Sequence, residues 1–252
     1  MRERSHAPGF GPVAARRMME VKVGSIRSSA RAALLAGLIA QPAGAAPSGE
    51  SALEARAQAA LDDLSRGRPG VRAVWRGATP MLITGLETPT EGTDAATRAL
   101  AFVQGRADLL GGAELVLEDV EQRSDRAVVR LAQVHAGLRV ADHSVVVTMD
   151  ERGRVVRVLN DAAALVEVRP AQIDAEAARR LAAARVLGRP EVGTQLPALG
   201  TVGEAKKVVF AQGNRGVEGY VVLIVRSPVE VLEVRIDGAE GEVFGVKNTV
   251  LR

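Results

Sequence analysis

Only three histidines occur in the chain, His6, His135 and His143, and there is no cysteine. A zinc-hydrolase helix needs two histidines four residues apart with a glutamate between them, and no such triplet is present. His135 and His143 stand eight apart across an expected turn, with Asp142 beside the second. Two adjacent strands could set them face to face as a two-His-plus-carboxylate metal site. Polar residues at strand ends beside a turn are the simpler account, and it is preferred. Serine chemistry has no better footing: Ser124, Ser144 and Ser227 lie in no nucleophile elbow. Gly200-Thr-Val-Gly203 lacks the Gly-Lys-Ser/Thr ending of a phosphate loop, and Gly111-Gly112 follows a helical rather than a strand pattern. Asp174 and Glu176 share a helix start, where capping and dipole roles suit them better than acid–base work. The sequence thus offers no catalytic set and calls for no cofactor; the expected class is not an enzyme.

The elements around these residues follow from period and punctuation. Ser51–Arg66 reads as a helix, with Leu53, Ala57, Leu61 and Leu64 on one face and Gly67-Arg-Pro-Gly70 as its stop. Val71–Arg76 and Met81–Thr84 read as short strands, and Gly85–Thr93 as a linker. Thr93 or Asp94 caps a helix predicted to run through Leu110, closed by Gly111-Gly112. The period then changes. Glu114–Gln122, Arg126–Val134, Val145–Met149 and Val155–Leu159 are predicted strands, with Asp150-Glu-Arg-Gly153 a hairpin turn. Pro170 closes that unit. Asp174 caps a further helix through Leu187, with Gly188 at its end, and Pro190–Gly203 is a loop. Lys206–Ala211, Gly219–Arg226, Val229–Ile236 and Glu242–Val246 complete a second meander. The prediction is α+β: two consecutive small lobes, each a helix packed on an antiparallel sheet.

Composition narrows the partners. The 252 residues carry a net charge of +3, but Met1–Ala45 holds seven Lys/Arg against two Asp/Glu, so the remainder is mildly acidic. A basic nucleic-acid footprint is missing, and at 2% aromatic residues a base-stacking platform is excluded. Lys22, Arg27 and Arg31 precede the apolar run Ala32–Ala40, then Gln41-Pro42 and the small residues Ala43-Gly44-Ala45. That is the pattern of a signal peptide, and the run is too short to span a bilayer. Residues 1–45 are therefore read as a signal peptide with an over-extended start, and the product as secreted or periplasmic, without stable membrane insertion.

Gln133-Val134-His135-Ala136-Gly137-Leu138-Arg139-Val140 resembles the motif of fungalysin/thermolysin propeptides: Gln, one residue, an aromatic or His, one residue, Gly, an apolar residue, one residue, Val. Ala99–Leu110 is similar to the helix preceding that motif, and Asp142–Met149 with Asp150-Glu-Arg-Gly153 to the hairpin after it. Gly77-Ala-Thr-Pro80 with Gly85 is similar to the segment before both. Pro170-x-x-Ile173-Asp174 and Leu232–Val243, including Asp237 and Gly241, resemble the companion PepSY domain, although Gly238 replaces its more usual alanine.

The resemblance covers about Val71 to Val250; with the leader and the element pattern it gives four expected parts: residues 1–45, signal peptide; 46–93 with a helix, short strands and linker; 94–168, propeptide-like; and 169–252, PepSY-like. Gln133, His135, Gly137, Val140, Asp150, Gly153, Asp237 and Gly241 are then mainly structural motif residues. Gly137 lets the chain turn tightly, Val140 returns to the core, and Gln133 is expected to satisfy backbone groups at the turn. The resemblance implies a protein partner, a secreted zinc metalloprotease, which such prosegments inhibit and help to fold. The sequence ends at Arg252, where a family member would run on into a catalytic domain. The expectation is therefore a free-standing prosegment acting in trans. A generic extracellular binding module and a truncated or remnant precursor are the alternatives.

Overall fold

Residues 49–188 and 200–249 are described by a computed structural model. The predicted signal peptide lies outside them, as does most of the predicted loop Pro190–Gly203.

Local chemistry accounts for most element ends. Helix α1 (Gly49–Ser65) buries Ala57, Leu61 and Leu64 on one face. Helix α2 (Ala95–Gln104) starts where the Asp94 side chain accepts from the Thr97 N–H at 2.9 Å, filling one of the donors that every helix start leaves open. It stops earlier than predicted. Gly105 closes it, and Ala107–Leu110 forms a separate 3₁₀ turn that Gly111 ends at φ 71°. Helix α3 (Ala175–Leu187) is capped by Asp174 through the Ala177 N–H and closed by Gly188 in the left-handed region.

Eleven described strands are β1 (Arg72–Arg76), β2 (Thr79–Thr88), β3 (Glu114–Gln122), β4 (Arg126–His135), β5 (Leu138–Asp150), β6 (Val155–Asn160), β7 (Glu167–Arg169), β8 (Thr201–Gln212), β9 (Arg215–Ser227), β10 (Glu230–Asp237) and β11 (Val243–Asn248). Pairing runs β1-β2-β6-β5-β8-β9-β10-β11, with β3 and β4 on the other side of β5 and β7 beside β9. The chain is thus mixed α and β, a large sheet with few helices.

Two features depart from the expected meanders. Strand β2 runs through much of the predicted linker, to Thr88. Its glycine looked like a break but is a bulge: a Cβ on Gly85 would lie 2.1 Å from the Gly70 carbonyl oxygen, so only glycine fits there. The pairing is also not wholly antiparallel. Val140 of β5 pairs in parallel with Val209 of β8, and β7 pairs in parallel with β9.

The interior is built from aliphatic side chains. One cluster sets Leu61, Leu64, Phe102 and Val103 of the helices against Ile83, Leu131, Val147 and Val158 of the sheet. A second packs Ala178 and Ala182 of α3 onto Tyr220, Val222, Ile224 and Val234. Those two alanines are fully buried, so α3 lies close on its strands. A third and smaller group, Val208, Phe210 and Val217, adjoins Ala141 of β5. No described helix is long and apolar enough to cross a membrane.

Candidate functional site

The motif residues meet where β5 changes partners. The β4–β5 hairpin turns on Ala136 and Gly137, both at positive φ (50° and 79°), between the paired His135 and Leu138. A two-residue type I′ turn requires that pair of angles. Beyond it β5 leaves β4. Val134 pairs with Arg139 and Ala132 with Ser144, so residues 140–143 stand opposite Gln133 alone. Asp142, at φ 61°, makes the kink.

The detour has two consequences. Val140, fully buried, is delivered to β8. Gln133, only 3% exposed, is left facing a gap in the ladder. Its carboxamide closes that gap from the side. Nε2 donates to the Ala163 carbonyl and Oε1 accepts from the Ala163 N–H, both at 2.8 Å. Buried backbone groups need partners, and one side chain here satisfies both groups of one residue. The sequence reading had Gln133 serving its own turn; it serves a segment 30 residues away.

Neighbouring polar groups stitch down the same segment. The His143 ring Nδ1–H donates to the Asp161 carbonyl, and the Asp161 N–H donates to Ser144 at 3.0 Å. Buried Asn160 donates to the Pro80 carbonyl at 3.1 Å and accepts from the Ala162 N–H at 3.0 Å. Asn160 was missed from sequence, although an asparagine at an inward position of the apolar run Val155–Asn160 is a legible signal of a buried polar anchor. The two histidines are not brought opposite each other: His135 pairs with Leu138, while His143 is committed to Asp161. Asp142, the third member of the conceivable metal set, is taken by Arg235. Among the described residues no group of three or more His, Asp or Glu could hold a metal.

Charge pairs flank this junction. Arg235 holds both carboxylate oxygens of Asp142, one through Nη2 at 3.1 Å, and its Nε donates to Glu233 at 2.7 Å. The hydrogen bond from Arg235 outweighs burial and keeps the Asp142 carboxyl below its ordinary range. Glu218 accepts from Lys207 Nζ at 2.7 Å and from the Ala171 N–H at 2.9 Å. Lys207 first, then Ala171, holds the Glu218 carboxyl low, and the same contact raises the Lys207 ammonium.

The remaining motif residues form two turns of one design. Asp150 accepts from the N–H groups of Arg152 and Arg154, at 3.0 and 2.8 Å, and Gly153 follows at φ 73°. Burial pushes the Asp150 carboxyl up, but the backbone and side-chain donors of Arg154 win and hold it low. Asp237 accepts from the N–H groups of Ala239 and Glu240 at 2.7 and 3.1 Å, and Gly241 follows at φ 71°. Each aspartate fixes its own turn.

A cleft of about 540 Å³ opens beside the stitched segment, between the start of α1, the β1–β2 turn and the β8–β9 turn. Arg76, His143, Asn160 and Asn214 are among its lining residues. Arg76 is paired with Asp161, and His143 and Asn160 donate inward to carbonyls. Three polar groups of the cleft wall are thus already engaged within the protein.

Comparison with known proteins bears on this junction. The model of the Fungalysin/Thermolysin Propeptide Motif matches residues 114–162, from the first residue of β3 to just past β6. Among solved structures, the Bacillus megaterium YpeB C-terminal domain is similar at 15% identity, over 72% of this chain and 76% of that one, with a TM-score of 0.39. A putative lipoprotein from Clostridium difficile 630 is similar at 14% identity, over 65% and 99%, with a TM-score of 0.23. No curated protein matches the chain. Strands β3 to β6, with the Gln133 anchor and the β5 detour inside them, are the part of the chain that is similar to the fungalysin/thermolysin propeptide motif.

Proposed function

We propose that this chain is an exported, non-catalytic, propeptide-like protein that acts in trans on a thermolysin-type zinc metalloprotease, as inhibitor, folding helper or both. The observation that carries the reading is the propeptide-motif match over residues 114–162. In support, the motif side chains are used for building: Gln133, Asp150 and Asp237 each hold backbone groups, and Asp150 also accepts from the Arg154 side chain. What such a scaffold has left to offer a partner is surface.

On this reading residues 1–45 are the signal peptide and 46–93 a leading helix with short strands. Residues 94–168 form the propeptide-like part and 169–252 a PepSY-like companion. A stable complex would bury ~1,200–2,000 Å² in total. The test is direct. The purified chain, at micromolar concentration, is added to an active thermolysin-type protease and separately to the same protease during refolding. A fall in peptidase rate or a rise in refolded yield supports the reading. No change in either measurement overturns it.

A further inference from the structure

We propose that the open face of the β1-β2-β6-β5-β4 sheet is a docking surface for an acidic protein segment. It holds whether or not the partner is a protease. The strand registers define the face. Val74 pairs with Leu82, Leu82 with Leu159, and Leu159 with Val146, so four apolar side chains form one row across four strands. All four alternate with residues that point into the first hydrophobic cluster, such as Ile83, Val158 and Val147. The row therefore looks away from α1 and α2, and no described helix covers it. Val74 is 51% exposed and Leu159 38%.

Arginines frame this row. Arg72 and Arg157 both pair with Thr84, one on each side of β2, in the adjoining row, and Arg130 pairs with Val146 at the end of the apolar one. All three are exposed, and none has a side-chain hydrogen bond or ion pair, whereas most arginines of the described chain have one. Acidic groups at its β3 edge are Asp119, which pairs with Arg130, and Glu121, which pairs with Val128; elsewhere on the face Asp150 and Glu87 are held by Arg154, and Asp161 by Arg76.

An apolar centre with arginine at its margin is the composition of a protein-binding patch. Guanidinium groups match carboxylates two bonds at a time, which selects an acidic occupant. A second copy laid face to face would set arginine against arginine. A lipid surface is disfavoured because the face carries no aromatic residue and no lysine.

The test uses the full chain as bait for random dodecapeptides displayed on phage. Enriched peptides should carry Asp or Glu interleaved with apolar residues. Their binding should fall at least tenfold in R72E/R130E/R157E and hold in R180E/R185E, which reverses two unpaired arginines on α3. Thermal unfolding of both variants, read beside binding, identifies any loss caused by misfolding, and then Val74→Asp replaces the triple variant. Enrichment without acidic bias, or peptides that bind the triple variant equally well, would falsify the proposal. So would failure to enrich any peptide. Vesicles of phosphatidylcholine with 30% phosphatidylserine, if bound by the chain but not by the triple variant, would reassign the face to lipid and overturn it as well.

Discussion

Gln133 makes two hydrogen bonds to a single buried residue, and this concentrates consequence in one side chain. Replacing it with alanine orphans the N–H and the carbonyl of Ala163, itself 8% exposed. An unsatisfied buried backbone group costs ~1–3 kcal/mol, so Gln133→Ala should lose roughly 2–4 kcal/mol by urea titration at unchanged m-value. Leu159→Ala, on the open face, should lose far less. A second expectation concerns acid. Asp142 and Glu218 have folded-state pKa values below their unfolded ones. Each therefore contributes stability that is present above its unfolded pKa and disappears as pH falls through the lower, folded one. Stability should decline from about pH 4.5 downward. Glu218→Gln should flatten that decline while lowering stability at neutral pH, as read from urea midpoints between pH 2 and 7. Equal slopes in the two proteins would refute the assignment to Glu218.

Elements were legible wherever one local interaction sets them. Asp94, Asp174 and Gly188 mark helix ends by capping chemistry that acts within four residues, and Asp150 with Gly153 fixes a turn the same way. The parallel pairs Val140–Val209 and β7–β9 left no such trace, because strand partners far apart in sequence impose no period on either strand. Gly85 misled for a related reason. Its cause is the Gly70 carbonyl, a neighbour in space 15 positions back. Gly219 poses the same question within β9. A Cβ there would lie 2.3 Å from the Ile236 carbonyl oxygen and 2.7 Å from the Phe210 ring. Neither backbone nor packed ring yields readily, so Gly219→Ala should cost about 3 kcal/mol or more. The opposite is expected at the motif turn. Ala136 occupies a left-handed conformation at φ 50°, and Asn-Gly is the preferred pair for such a turn. Ala136→Asn should raise the urea midpoint, by the equivalent of ~0.5–1 kcal/mol.

At the scale of the molecule, the two larger hydrophobic clusters share no residue, and within the one sheet a seam joins them. It includes the Val140–Val209 pair, the small Val208–Phe210–Val217 group against Ala141, the Arg235–Asp142 contact and the parallel β7–β9 pairs. The segment similar to the propeptide motif reaches this seam because the β5 detour helps to build it. Two cores that share no residue should open separately before they unfold together. Arg235→Ala removes the charged part of the joint and leaves Asp142 and Glu233 without their shared cation. Hydrogen exchange should then quicken by at least tenfold in the amides of β9 and β10 and stay unchanged in those of β4 to β6. A uniform increase across both sets would mean that the strands open as one cooperative body and that the seam has no separate mechanical role.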